Sequence, residues 1–205
     1  MRLASCGVLW AIALATGACA GPLKSDADKL IAKTRETNAT YSLFLWNEIT
    51  HPDGKVDQEW SAEFHQGTLH RVETPRDRIV ADCAAGTGIY LRVPTKEIIR
   101  GPNVAKAACG IQANSEIIES RVLSSGSGPF GPAVVVLVRD PENIRTYTVA
   151  ESGALIASTI DDLESRRLIT ANAVALLPTA AGDIFTEASL AASAVPEKYR
   201  SKPNR

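Results

Sequence analysis

Residues 59–93 read EWSAEFHQGTLHRVETPRDRIVADCAAGTGIYLRV. Trp60, Ala62 and Phe64 alternate with Glu59, Ser61, Glu63 and His65, the period of two that sets one face of a strand on a core. Gly67 marks a reversal, after which Leu69, Arg71 and Glu73 point opposite to His70 and Val72. Pro75 and Asp77 make the next turn, Ile79–Cys83 runs back, and Gly86 and Gly88 precede Ile89–Val93. Short loops between short strands force neighbours to pair antiparallel, so the stretch predicts a meander.

Working outward, Tyr41–Ile49 predicts a first strand that is apolar on both sides, followed by the turn Pro52-Asp53-Gly54-Lys55. Before it, Ser25 and Asp28 stand three apart as a helix start, with Ala27, Leu30, Ile31 and Thr34 on one face of a helix reaching about Thr37. After it, Pro94 ends the meander, and Gly101-Pro102 opens a short helical excursion, Asn103–Gly110, that carries Cys109. Ile117–Leu123 alternates weakly, and Ser124–Pro132 reads as a flexible loop, either a flap beside a cavity mouth or a plain hairpin connection. Ala133–Val138, Ile144–Ala150, Ala154–Ile160 and Leu168–Leu177 complete about nine or ten strands, and Asp183–Ala194 reads as a closing short helix. The fold class is therefore mainly β (α+β), an antiparallel sheet with an N-terminal helix and short helical insertions.

Residues 1–20, MRLASCGVLWAIALATGACA, read as an export signal. Arg2 is the single charge, an apolar run follows, and Ala18 and Ala20 supply small residues for cleavage before Gly21. The run is too short, and lacks the positive flank, for a membrane span. The alternative is a bacterial lipoprotein signal in which Cys19 is acylated and becomes the first residue. Residues 21–195 are expected to form one domain, and 196–205 a basic, frayed tail or a membrane-surface contact. A net charge of −1 over 205 residues gives no basic stripe for nucleic acid.

Past the signal two cysteines remain, Cys83 and Cys109. In an oxidising compartment an even pair predicts a structural disulfide, closing a loop that restricts the unfolded chain by about 3 kcal/mol. No CxxC motif accompanies them. The histidines are His51, His65 and His70; the last two flank a tight turn and read as solvated strand ends, without the converging ligands that zinc needs. No Gly-x-Ser-x-Gly elbow, phosphate loop or paired carboxylates single out a catalytic residue, metal site or cofactor. What remains is apolar surface. A curved sheet can enclose a pocket for apolar ligands, and Leu43, Trp46, Trp60, Phe64, Ile79 and Tyr90 are candidates to line its concave side, although each also fits a plain core position.

Leu69-His70-Arg71-Val72-Glu73-Thr74-Pro75, then Ile79-Val80-Ala81-Asp82, then Gly86, Gly88 and Ile89-Tyr90-Leu91, form a pattern that resembles the periplasmic lipoprotein-carrier superfamily (LolA/LolB/RseB-like). Thr146-Tyr147-Thr148-Val149 with Ser152-Gly153-Ala154-Leu155, and Leu176-Leu177-Pro178 with Asp183-Ile184-Phe185, are similar to its later strands and closing segment. Two features depart from that pattern. The Asp-Gly turn is expanded to Asp82-Cys83-Ala84-Ala85-Gly86, and His65-Gln66-Gly67-Thr68 stands where true carriers have an Arg-Pro strand. The resemblance implies an incomplete antiparallel barrel, closed by helices over a hydrophobic cavity.

On this reading the chain is a periplasmic, non-enzymatic carrier or binding protein for a lipid, an acyl chain or a lipoprotein anchor. The alternative is an envelope assembly or stress-sensing factor that binds a protein partner through an exposed strand edge. A secreted hydrolase would require His65 or His70 to meet a serine and a carboxylate in a cleft.

Overall fold

The computed structural model describes residues 25–36, 38–111, 116–180 and 182–202, so the proposed signal and Cys19 lie outside the described residues. Helix α1, Asp26–Glu36, begins where the sequence places it. Ser25 Oγ accepts from the Asp28 amide at 3.1 Å and Asp28 Oδ2 from the Ser25 amide at 3.2 Å, a reciprocal cap.

Eleven strands follow among the described residues. β1 (Thr40–Thr50), β2 (Val56–Gln66), β3 (Leu69–Glu73), β4 (Asp77–Asp82), β5 (Thr87–Arg92) and β6 (Glu97–Arg100) form one meander. Helix α2, Pro102–Ala108, lies in the crossover to β7 (Glu119–Gly128), β8 (Gly131–Arg139), β9 (Asn143–Ala150), β10 (Leu155–Asp162) and β11 (Arg167–Leu177). The strand order is β6-β5-β4-β3-β2-β1-β11-β10-β9-β8-β7, with every pair antiparallel. The β1–β11 pairing joins the two meanders, and β6 and β7 remain open edges, so the sheet does not close into a barrel.

Register divides the side chains into two faces. Leu43, Glu63, Val72, Ile79 and Tyr90 follow one another across β1 to β5 on the first face; Ser42, Phe64, Arg71, Val80 and Ile89 do so on the second. Both helices cover the first face. Ala27 and Ile31 of α1 pack on Val136, Val138, Tyr147 and Val149, while Ala105 and Ala108 of α2 pack on Ala81 beside Val72 and Ile79. The Cys83–Cys109 disulfide ties α2 to the end of β4, as the sequence predicts. The second face is covered across β1–β5 by the C-terminal segment, whose Ile184, Phe185, Val195 and Tyr199 pack with Phe44, Ala62 and Phe64.

Four expectations are corrected. The meander does not end at Pro94, since the chain turns there and Glu97–Arg100 adds β6 to β5. Ser124–Gly128 is not a loop but the end of β7, paired residue by residue with β8, and Gly131 at φ 97 shapes a tight reversal at Pro129-Phe130. Its Ser/Gly composition reads as loop because an exposed edge strand has no apolar face to show. Asp183–Ala194 is not a helix; only the 3₁₀ turn Ala188–Ala191 forms, because sheet arginines claim the backbone carbonyls that a helix would use. Nor does the chain fray over residues 196–202. Tyr199 stacks on Phe44 at 4.0 Å between centroids, and Lys202 reaches Gln58 at 3.2 Å.

Glycine is required where the helices come closest to their neighbours. Gly110 has φ +68, and a Cβ there would stand 2.5 Å from the Thr34 carbonyl oxygen of α1. A Gly110→Ala variant is therefore expected to lose about 2 kcal/mol or more in urea unfolding followed by circular dichroism. Unchanged stability would contradict the close crossing of α1 by the chain leaving α2.

Candidate functional site

The six predicted ligand-lining residues divide between the two faces. Leu43, Ile79 and Tyr90 lie on the helix-covered face; Trp46, Trp60 and Phe64 lie on the other, with Trp46 directly opposite Trp60. Leu43 and Phe64 are fully buried, and Phe64 meets Phe44 edge-on at 5.8 Å. Tyr90 donates its hydroxyl to Asp77 at 2.5 Å. None of the six lines the cavities described next.

Two of those cavities depend on how the C-terminal segment is held. Arg71 and Glu73, two apart on β3, point to the second face and are completely buried, with Nε to Oε1 at 2.6 Å. Arg71 also donates to the Ile184 carbonyl at 2.6 Å, Ser189 Oγ at 2.8 Å, the Ser189 carbonyl at 3.2 Å and the Ala192 carbonyl at 2.7 Å. Glu73 accepts from Ser193 Oγ at 2.7 Å and the Ala194 amide at 2.9 Å. Arg78 on β4 donates to the Leu190 carbonyl at 2.7 Å. A segment with no strand partner thus has its backbone groups satisfied by charged side chains of the sheet.

Beneath it lies a cavity of about 510 Å³. Its floor is the row Arg78, Leu91 and Ile98, which face one another across β4, β5 and β6, with Val93 and Lys96 at one end. Its roof is Glu187, Ala188, Leu190 and Ala191. A second cavity of about 370 Å³ covers the neighbouring row Val80, Ile89 and Arg100, with Leu69 and Phe185 beside it. Between the two, Arg100 pairs with Glu187 from floor to roof. Apolar walls with basic groups at one rim suit an amphiphile carrying an anionic head. A third cavity of about 410 Å³ lies between α1 and β7–β9.

The helix-covered face holds polar groups that the sequence does not reveal as buried. His65 and His70 are 1% and 2% exposed, not solvated strand ends, because α2 and the chain before β1 lie over them. Their rings meet edge-on at 3.6 Å, and Tyr41 stacks on His65 at 5.1 Å. Burial pushes their pKa values down to about 4 and about 3, so both are neutral near pH 7. Glu63 stands beside them on β2, pushed up to about 7 by burial, and Tyr41 is raised first by its own burial and then by the charge of Glu63. The missed signal lies in the alternation itself, since Glu63 and His65 share a parity opposite to Phe64 yet face a second apolar layer.

No protein-family model matches the chain, and no curated protein matches it in sequence. Its fold is similar to solved structures. An uncharacterized conserved protein from Thermus thermophilus matches at a TM-score of 0.52 with 10% identity, over 78% of this chain and 91% of that one. A LolA superfamily protein from Nitrosomonas europaea matches at 0.44 with 12% identity, over 79% and 98%. MucB, solved in complex with MucA(peri), matches at 0.37 with 16% identity, over 78% and 57%. At these identities the likeness is one of fold alone. Among the described residues, no helix is long and apolar enough to cross a membrane.

Glu63 gives a pH signature of the covered face. Folded, it keeps its proton up to about 7 instead of 4.5, so the native chain binds more protons in that window and stability falls as pH rises through it. The histidines act oppositely, costing stability as pH drops below 6.5. Glu63→Gln removes the first effect only. Relative to its effect at about pH 4, the variant is expected to gain on the order of 1–3 kcal/mol over the parent at about pH 8 in urea unfolding. A pH-independent difference would place Glu63 in water.

Proposed function

We propose that the protein is an exported, non-enzymatic binding or carrier protein that holds a lipid, an acyl chain or a lipoprotein anchor between the β4–β6 end of its sheet and its C-terminal segment. The observation that carries this reading is the cavity of about 510 Å³ floored by Leu91 and Ile98 and roofed by Ala188, Leu190 and Ala191. Lys96 at its rim suits a carboxylate or phosphate head. The Cys83–Cys109 bond is consistent with an oxidising compartment such as the periplasm, to which the apolar run at residues 1–20 would direct the chain. Acylation of Cys19, in the alternative reading of that run, would tether the same domain to a membrane.

Burying about ten methylenes at ~0.8 kcal/mol each supplies on the order of 8 kcal/mol before the costs of ordering the chain. That limits a single acyl chain to micromolar affinity or weaker, which suits a protein that must also release its cargo.

A second reading rests on the two open edges. Ile98 and Ile99 on β6 are 43% and 44% exposed, and Val122 and Leu123 on β7 are 41% and 42% exposed. Such edges can accept a strand from an envelope protein.

Titration with a fluorescent fatty acid separates the readings. Saturable uptake is expected, weakened at least tenfold by Leu91→Glu, a charge in the floor, and unaffected by Val122→Lys on the far edge. No uptake by the parent, or equal uptake by the Leu91 variant, would remove the cavity from the account and leave the strand-edge reading.

A further inference from the structure

The disulfide lies against a histidine whose chemistry the fold does not otherwise use. One ring nitrogen of His70 and the sulfurs of Cys83 and Cys109 all lie within 4.8 Å of one another. His70 Nδ1 is 2.5 Å from the Ala108 carbonyl, and a carbonyl can only accept, so Nδ1 carries the proton and Nε2 keeps a bare lone pair. That nitrogen is buried and has no hydrogen-bond partner. His65 repeats the pattern, with Nδ1 donating to the Ala39 carbonyl at 3.0 Å and Nε2 buried without a partner, its ring edge-on to His70 at 3.6 Å.

An unpartnered buried nitrogen is costly, and a histidine in that state whose ring lies within reach of two sulfurs calls for an acceptor of lone pairs. We infer that, when the Cys83–Cys109 bond is reduced, Cys83, Cys109 and His70 form a three-ligand binding site for one thiophilic divalent cation of the zinc type, with the fourth position left to solvent. A ligating histidine usually donates its other N–H to a backbone carbonyl, as His70 does to Ala108. Neutral imidazole is the ligating form, and the Nδ1–H donated to Ala108 leaves the lone pair on Nε2. Zinc bonds of about 2.0–2.3 Å put its donors roughly 3.5 Å apart, so the two sulfurs separate once their bond is opened and the His70 nitrogen, now within 4.8 Å of them, closes in.

The redox step balances with a dithiol reductant. Two electrons and two protons pass from the dithiol, which closes to its own disulfide, to the Cys83–Cys109 bond, which opens to two thiols. The cation then displaces both thiol protons. Cys83 is only half-buried, giving the reductant a sulfur to attack. The site therefore belongs to the reduced chain, before oxidation or under reducing stress, and the cation would hold α2 against β4 as the disulfide does.

The test uses the purified protein reduced with a phosphine, which does not compete for metal, and cobalt(II) as a spectroscopic stand-in for zinc. The reduced chain is expected to take up one cobalt with a thiolate charge-transfer band and the intense visible bands of a tetrahedral site, while the oxidised chain takes up none. His70→Asn retains a side-chain N–H for the Ala108 carbonyl but removes the imidazole ligand. It is expected to bind at least tenfold more weakly with an altered spectrum. Far-UV circular dichroism of the same samples reports folding. No uptake, binding unchanged in His70→Asn, or a reduced chain that stays unfolded with metal present would each overturn the proposal.

Discussion

The buried Arg71–Glu73 pair is the interaction on which the second face depends. All five N–H donors of Arg71 are engaged, one with Glu73 and four with the backbone or hydroxyl of residues 184–192. Two charges taken fully out of water gain nothing by themselves, since desolvation offsets their attraction. They become favourable here because each also satisfies backbone groups that would otherwise be buried without partners. The pair therefore specifies position as well as contributing stability, since only one placement of the C-terminal segment satisfies every donor. That placement sets the roof of the cavity, so the side chains that decide where a ligand fits do not touch it, with Arg78 as the exception.

The first face is organised by a different device. There the disulfide, the Gly88 and Gly110 close approaches and the reciprocal cap of α1 bring two short helices onto opposite halves of the sheet. An added Cβ at Gly88 would meet the Ala105 amide nitrogen at 2.7 Å, so α2 lies almost on the backbone of β5. Such closeness leaves little room for a ligand beneath α2 but makes His65 and His70 interior groups. In its β1–β6 half the sheet thus carries a tightly packed face with titratable groups and an opposite face with space.

Most of the strands, the helix start at Ser25 and the pairing of Cys83 with Cys109 were legible in the sequence because each is a local signal. Alternation, a cap and an even cysteine count do not depend on distant partners. β6, past the Pro94 that reads as the end of the meander, and the second half of β7 were not legible. The latch formed by Arg71 and Glu73 was not legible, because both look like the solvated half of an alternating strand until residues 113 to 121 positions away fold over them. Burial of His65 and His70 was hidden for the same reason, their cover coming from α2 and from Ala39. One part of the candidate site follows from strand parity alone. Leu43 and Trp46 have opposite parity in one strand, so they could not share a face without a bulge between them. A bulge does occur there, at Phe44/Leu45, but it lies in the pairing with β11; the β1–β2 register runs unbroken and leaves the two residues on opposite faces.

Hydrogen exchange read by mass spectrometry on the parent and on Arg71→Met tests the latch most directly. In the parent, amides of residues 184–195 should be protected although they have no strand partner. In the variant the account predicts that this protection collapses while amides of β8–β10 exchange as before. Protection of 184–195 that survives the loss of Arg71 would contradict it, and the roof of the cavity would then need another cause.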